Sequence, residues 1–230
     1  MKDQRSLVLA AMPIDRCELR TIFSDKADSI KYQLEHPPTI RPRGGWGLGT
    51  GDQPKLIRGE LIRVENYRAT IDLYRDGTLI FAGVISQNFL AWSNQTNLRL
   101  HPLALAEVVI NFTRFYQLVL KDLRTAPNSL EFQIGLRNMW LEGEKNRLPG
   151  GPVTSSPFWE VDAGAQREAP ADAWSYKFLV RAETYQPERV AFQLLRELYI
   201  WFGHSEEAVP YKKETGDGLI SDVDSIVRIG

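Results

Sequence analysis

The chain of 230 residues has almost no cysteine, no surplus of charge and no long apolar run. Cys17 is its one cysteine, so no internal disulfide can form. A single thiol suits a reducing compartment, and a cytoplasmic location is the expectation. A nucleophilic role for Cys17 needs a neighbouring base, and the local sequence supplies none. Twenty-eight basic residues stand against 29 acidic ones, for a net charge of −1. That excludes the global basic excess of a dedicated nucleic-acid coat protein, though not a local basic patch. The first apolar run, Leu7 to Met12, is too weak for a signal peptide and far too short to cross a bilayer. No membrane association is expected. An abrupt start of this kind also fits a fragment of a longer protein. Histidine is scarce as well. His36, His101 and His204 lack metal-ligand spacing and no cysteine pair joins them, so neither a metal nor another cofactor is expected.

What remains is ordinary globular material: 43% hydrophobic and 25% charged residues. A chain of this length buries roughly 70% of the surface it exposes when unfolded, so it needs no disulfide or metal staple. One α+β domain over residues 1–230 is expected, a largely antiparallel sheet packed with two long apolar helices. Strands followed by a long helix occur twice, which allows a division into halves 1–125 and 126–230.

Residues 7–12 read as a strand ended by Pro13, and residues 25–35 as a short helix capped by Ser24. The run from Arg41 to Gly51 is a loop rich in glycine. Residues 55–100 read as an antiparallel meander. Tyr67, Ala69, Ile71 and Leu73 share one face of a strand, and Asp76-Gly77 supplies the positive φ that a tight hairpin needs. The strongest helix covers 102–124, opened by Pro102, with Asn111, Arg114, Gln117 and Lys121 as a narrow polar stripe. Strands at 130–136 and 174–182 alternate cleanly. Between them, 143–173 is a long loop rich in Gly, Pro, Ser and Ala, functional or mobile by its length. A second helix spans 187–202, closed by Gly203. The tail from 204 is polar and is expected to pack weakly.

Gly47-Leu48-Gly49-Thr50-Gly51 has the look of a phosphate cradle, but such a loop must open a helix, and here Pro54 and a β pattern follow. Arg41, Arg43, Trp46, Lys55 and Arg58 interleave basic groups with an aromatic, as a surface for phosphates and a stacked base does. The alternative is a solvated loop whose Trp46 covers the core edge. Arg137, Asn138 and Trp140 place polar groups beside an aromatic at a strand end, as a ligand pocket does. The alternative there is a strand end with Trp140 in the core. Glu206, Glu207, Asp217, Asp222 and Asp224 read as a solvated cluster rather than a paired acid–base site. Glu183 is an isolated candidate acid, and the serines near 154–156 lack a nucleophile elbow.

Three segments carry a resemblance: Tyr74-Arg75-Asp76-Gly77-Thr78-Leu79-Ile80-Phe81, Phe132 to Asn138, and Pro187-Glu188-Arg189-Val190-Ala191 through Tyr199 to Gly203. Together they resemble the region C-terminal to a Schlafen/Alba-type DNA-binding domain in bacterial proteins often labelled ATP-binding. The likeness covers most of residues 55–215. It implies an accessory region in a defence or regulatory setting, sensing a ligand or meeting a protein partner such as a flanking DNA-binding domain. It carries over no functional residues. Three functions follow as expectations: a non-catalytic sensing or interaction domain, a nucleic-acid-binding accessory domain, or a hydrolase assembled in space from residues such as Glu183 and His204. The partner expected is a protein, with nucleic acid as the alternative.

Overall fold

A computed structural model describes residues 4–20, 28–49, 51–87, 89–92, 99–141, 143–150 and 166–228. Fifteen strands run in chain order among them: β1 (Ser6–Pro13), β2 (Lys55–Ile57), β3 (Leu61–Glu65), β4 (Ala69–Tyr74), β5 (Leu79–Val84), β6 (Ala91–Trp92), β7 (Arg99–Leu100), β8 (Ser129–Arg137), β9 (Trp140–Leu141), β10 (Glu144–Lys145), β11 (Arg147–Pro149), β12 (Gln166–Glu168), β13 (Trp174–Arg181), β14 (Lys212–Thr215) and β15 (Gly218–Ser221). Four helices accompany them: α1 (Asp28–Glu35), α2 (Pro102–Lys121), α3 (Pro187–Trp201) and α4 (Val223–Val227). The class is α+β.

Seven strands form one antiparallel sheet in the order β13-β8-β1-β5-β4-β3-β2. The meander runs from β2 to β5 and stops there. Strands β6 and β7 join a separate four-stranded sheet, β12-β11-β7-β6, so the meander is shorter than the sequence implies. The N-terminal strand β1 sits between β5 and β8 and stitches the two strand–helix segments into one sheet. The β4–β5 hairpin turns at Gly77 (φ 86°), where Asp76 Oδ1 accepts from the Thr78 N–H at 2.9 Å.

Alternation decides the faces. One register row reads Tyr176, Ile134, Leu9, Phe81, Ile71 and Val64, all apolar. On this face α2 and α3 pack against the sheet and each other. Among the described residues α2 is the one helix long and apolar enough to cross a membrane, but most of it is buried inside the fold, as a core helix is. The opposite face carries Gln133, Ala10, Ile80, Asp72 and Arg63 in one row and Gly135, Val8, Ala82, Thr70 and Glu65 in the next. Arg63 and Asp72 close a bidentate pair there, both bonds 2.7 Å. These two rows hold no aromatic ring, although Tyr74 lies on the same side of β4 as Thr70 and Asp72.

Two expectations need correction. The tail from 204 packs firmly: β14 and β15 form a hairpin against α3, and Val209 and Ile226 are buried. The segment 143–173 is not loop throughout, because β10, β11 and β12 lie in it; residues 151–165, and the proposed cap Ser24, lie outside the described residues.

Candidate interaction groove

The basic–aromatic loop at 40–46 is pinned to α2 by a buried polar clamp. Glu107 is fully buried and Arg41 is 9% exposed, with Arg41 Nε donating to Glu107 Oε1 at 2.7 Å. The other oxygen, Glu107 Oε2, accepts from the Trp46 N–H at 2.7 Å. One helical turn on, Asn111 Oδ1 accepts from the Ile40 N–H at 2.9 Å, and its Nδ2 donates to Trp46 O at 3.0 Å. Positions i and i+4 share a helix face, which is why two polar residues in an apolar helix can hold one loop. Burial pushes the Glu107 carboxyl above its ordinary range, against the pull of the Trp46 N–H and the Arg41 guanidinium. The Trp46 ring lies 4.7 Å from the His101 ring and 5.7 Å from the Arg41 guanidinium.

This places the expected nucleic-acid residues in two groups. Arg41 and Trp46 meet, but their polar groups and ring faces serve the clamp. Arg43 is exposed on the same loop. Lys55 lies on β2 and Arg58 in the turn after it, both exposed, at the sheet edge remote from β13. Arg58 (φ 52°) and Gly59 (φ 72°) take the left-handed values of a primed hairpin turn. In a salt-series titration with DNA or RNA, Arg43→Ala is expected to change affinity less than about threefold, since one exposed charge contributes little. A tenfold loss would restore this loop as a phosphate surface.

The second expected cluster is also knitted into the chain. Asn138, with φ 57°, donates from Nδ2 to Gln4 O at 2.9 Å. Trp140 is 44% exposed, and its indole N–H donates to Ala169 O at 2.8 Å. Its main-chain N–H donates to Asp172 Oδ1 at 2.9 Å, and Lys145 Nζ lies 5.2 Å from the ring centre. Arg137 is exposed at the end of β8. The three residues are neighbours; Asn138 fastens the end of β8 to the chain just before β1, and Trp140 fastens it to the segment between β12 and β13.

Catalytic candidates separate. Glu183 lies before α3 and His204 after it, and a 15-residue helix is roughly 22 Å long. That pairing is ruled out. Glu183 lies 3.7 Å from Arg181, and His204 Nε2 lies 2.9 Å from Leu148 O. No group of three or more His, Cys, Asp or Glu able to hold a metal occurs among the described residues. Cys17 is buried, its Sγ 3.7 Å from Thr125 O, and burial raises its thiol pKa. Its reaction with a disulfide reagent is expected to be at least tenfold slower in the native chain than in urea. Equal rates would show an accessible thiolate.

The feature that stands apart lies at the other edge of the sheet. β13 pairs with β8 on one side, and among the described residues no strand pairs on its outer side. The Ala182 N–H donates to Asn128 O at 2.9 Å, in register with the ladder. Hydrogen-bonded positions alternate along an antiparallel pair. The main-chain groups of Ser175, Lys177, Leu179 and Arg181 therefore point away from β8. A groove of about 600 Å³ runs beside this edge, within the ~300–1,000 Å³ range of ligand clefts. Four consecutive residues of β13, Phe178 to Arg181, line it. Successive side chains of a strand face opposite ways, so only the strand's edge can present all four to one groove. Across from them stand Gln186, which precedes α3, and Arg189, Val190 and Gln193, a single stripe of that helix, and Asp217 of the β14–β15 turn closes one end.

No family model, no curated protein and no solved structure matches this chain. The site therefore has to be judged on its own geometry. A larger hollow of about 700 Å³ lies at the β4–β5 turn, but its charges answer one another. Glu18 is paired with Arg75 and, at 3.6 Å, with Arg124, and these arginines hold its carboxyl below the ordinary range. The β13 groove differs in offering main-chain groups, at Ser175, Lys177 and Leu179, that no strand among the described residues pairs. Sequence reasoning identified β13 as a strand but not as an edge. The one legible sign was Lys177 in mid-strand, a residue type that guards exposed edges.

Proposed function

We propose that this chain is a non-catalytic interaction domain that takes up an extended segment of a partner protein as an added strand beside β13. The observation that carries the reading is the outer edge of the eight-residue β13, unpaired by any strand among the described residues, with a groove along it walled by α3. Strand addition draws affinity from main-chain hydrogen bonds and specificity from the pockets beside them. Leu179, 64% exposed on this edge, is apolar surface that an added strand would cover. The wider setting, a regulatory or defence protein in a bacterium, is part of the same proposal and rests on the sequence resemblance alone.

The test is a selection of phage-displayed random peptides against the chain, with two variants as counter-screens. Leu179→Pro removes an N–H that points out of the sheet, a position where an edge strand tolerates proline. Gln193→Trp fills the groove from α3 and leaves the strand untouched. Selected peptides are expected to bind each variant at least tenfold more weakly. Peptides that bind wild type and both variants equally would overturn the proposal.

A further inference from the structure

We infer that the segment bound beside β13 carries an acidic side chain, set against Arg189 on the α3 side of the groove. This rests on the strand-addition reading above and adds the chemistry of the ligand. Arg189 is held loosely. Its Nη1 donates to Asp217 O at 2.8 Å, while Nη2 lies 3.7 Å from Asp217 Oδ2. The Asp217 side chain is 78% exposed, so water screens this pair and an incoming carboxylate competes with it easily. Arg189 Nε is shut off from solvent, so an incoming carboxylate would meet the guanidinium through its Nη atoms.

The surroundings reinforce the sign. Arg181 lines the same groove, and its nearest counter-ion, the 72%-exposed Glu183, is 3.7 Å away. Arg189 lies in the first turn of α3, where the helix's partial positive charge favours an anion. The acidic residue of that turn, Glu188, is already engaged with Arg114 at 2.8 Å. Phe178, Leu179, Val180 and Val190 are the apolar members of the lining. Side chains of a bound strand alternate, so those facing α3 would be an acidic residue at Arg189 and, two positions along, an apolar one at Val190. Those facing the other way would cover Leu179. Pairing with β13 of a second copy does not meet this requirement, because that strand contains Lys177 and Arg181 and no acidic residue.

The test uses synthetic, C-terminally amidated versions of the selected peptides, titrated by calorimetry into the full chain. Sequences with a fixed Asp or Glu are expected. Changing that residue to its amide, or Arg189→Ala, should each weaken binding about tenfold, and the two changes together should cost little more than one. Arg189→Lys should recover part of the loss and report that the variants fold. Peptides that depend on Leu179 but tolerate Arg189→Ala, or bind only with a free C-terminal carboxylate, would overturn the acidic side chain while leaving strand addition standing. Peptides indifferent to both positions, or a selection that returns none, would overturn both.

Discussion

Glu107→Ala is expected to destabilise the fold by about 3–5 kcal/mol, the effect of stripping one partner from a buried ion pair. Glu107 has no solvent exposure, and it accepts both from Arg41 Nε and from the Trp46 N–H. Removing it strands a guanidinium that is 9% exposed and leaves the Trp46 N–H without its acceptor. Among the described residues the Arg41 guanidinium makes one other hydrogen bond, from Nη2 to Gly44 O at 3.2 Å, which carries no counter-charge. Arg41→Met should cost a similar amount, since it leaves the carboxylate alone in an apolar setting. The combined Arg41→Met, Glu107→Leu variant should recover much of either loss, because each single change is penalised mainly for the charge it abandons. Urea unfolding of the three variants measures this cycle. Additive losses would mean that the two side chains do not act as a pair.

The second large effect is acid sensitivity centred on His101. This residue caps α2, with Nδ1 accepting from the Ala104 N–H at 3.4 Å, and it is 3% exposed. Burial lowers its pKa from 6.5 to about 4, and the nearby Arg41 charge acts in the same direction. A protonated ring also could not accept at Nδ1. The folded state thus holds the neutral ring while the unfolded chain takes up a proton near 6.5. The stabilisation is complete above about pH 6.5 and is lost as pH falls toward 4, roughly 3 kcal/mol in all. Glu107, whose carboxyl is raised, binds protons more readily in the fold and opposes this trend. The comparison that isolates the histidine is therefore wild type against His101→Asn, which keeps a capping oxygen. The stability difference between them should shrink in favour of the variant as pH drops through that window. A constant difference would show that His101 does not titrate between the two states.

These two residues mark where the sequence was readable and where it was not. Strand and helix positions followed from spacing. Alternation placed β8 and β13, and Pro187 and Gly203 bracketed α3, because local geometry imposes those patterns. Asn111 reads as part of a narrow polar stripe, and it is fully buried. A polar residue on an apolar helix has the same appearance whether it meets water or a distant loop. Only the 71-residue step back to Ile40 reveals the difference. The weak tail was misjudged similarly, because its apolar residues, Val209 and Ile226 among them, find a core that other segments provide. Arg41 and Trp46 have the composition of a phosphate surface, and Glu107 turns them inward. The groove depends on strand order, a non-local property on which residue spacing is silent.

The functional reading depends on one physical statement: the outer main-chain groups of Ser175, Lys177 and Leu179 on β13, which no described strand pairs, are available to a partner, while the Arg181 carbonyl already accepts from the Thr184 hydroxyl at 3.2 Å. Amide hydrogen exchange along this strand measures it directly. In the free chain, the Ser175, Lys177, Leu179 and Arg181 amides should exchange far faster than those of Tyr176, Phe178 and Val180, which face β8. Addition of a selected peptide should slow the first set and leave the second nearly unchanged. If the two sets exchange equally slowly in the free chain, the edge is already occupied, and strand addition is not what this groove does.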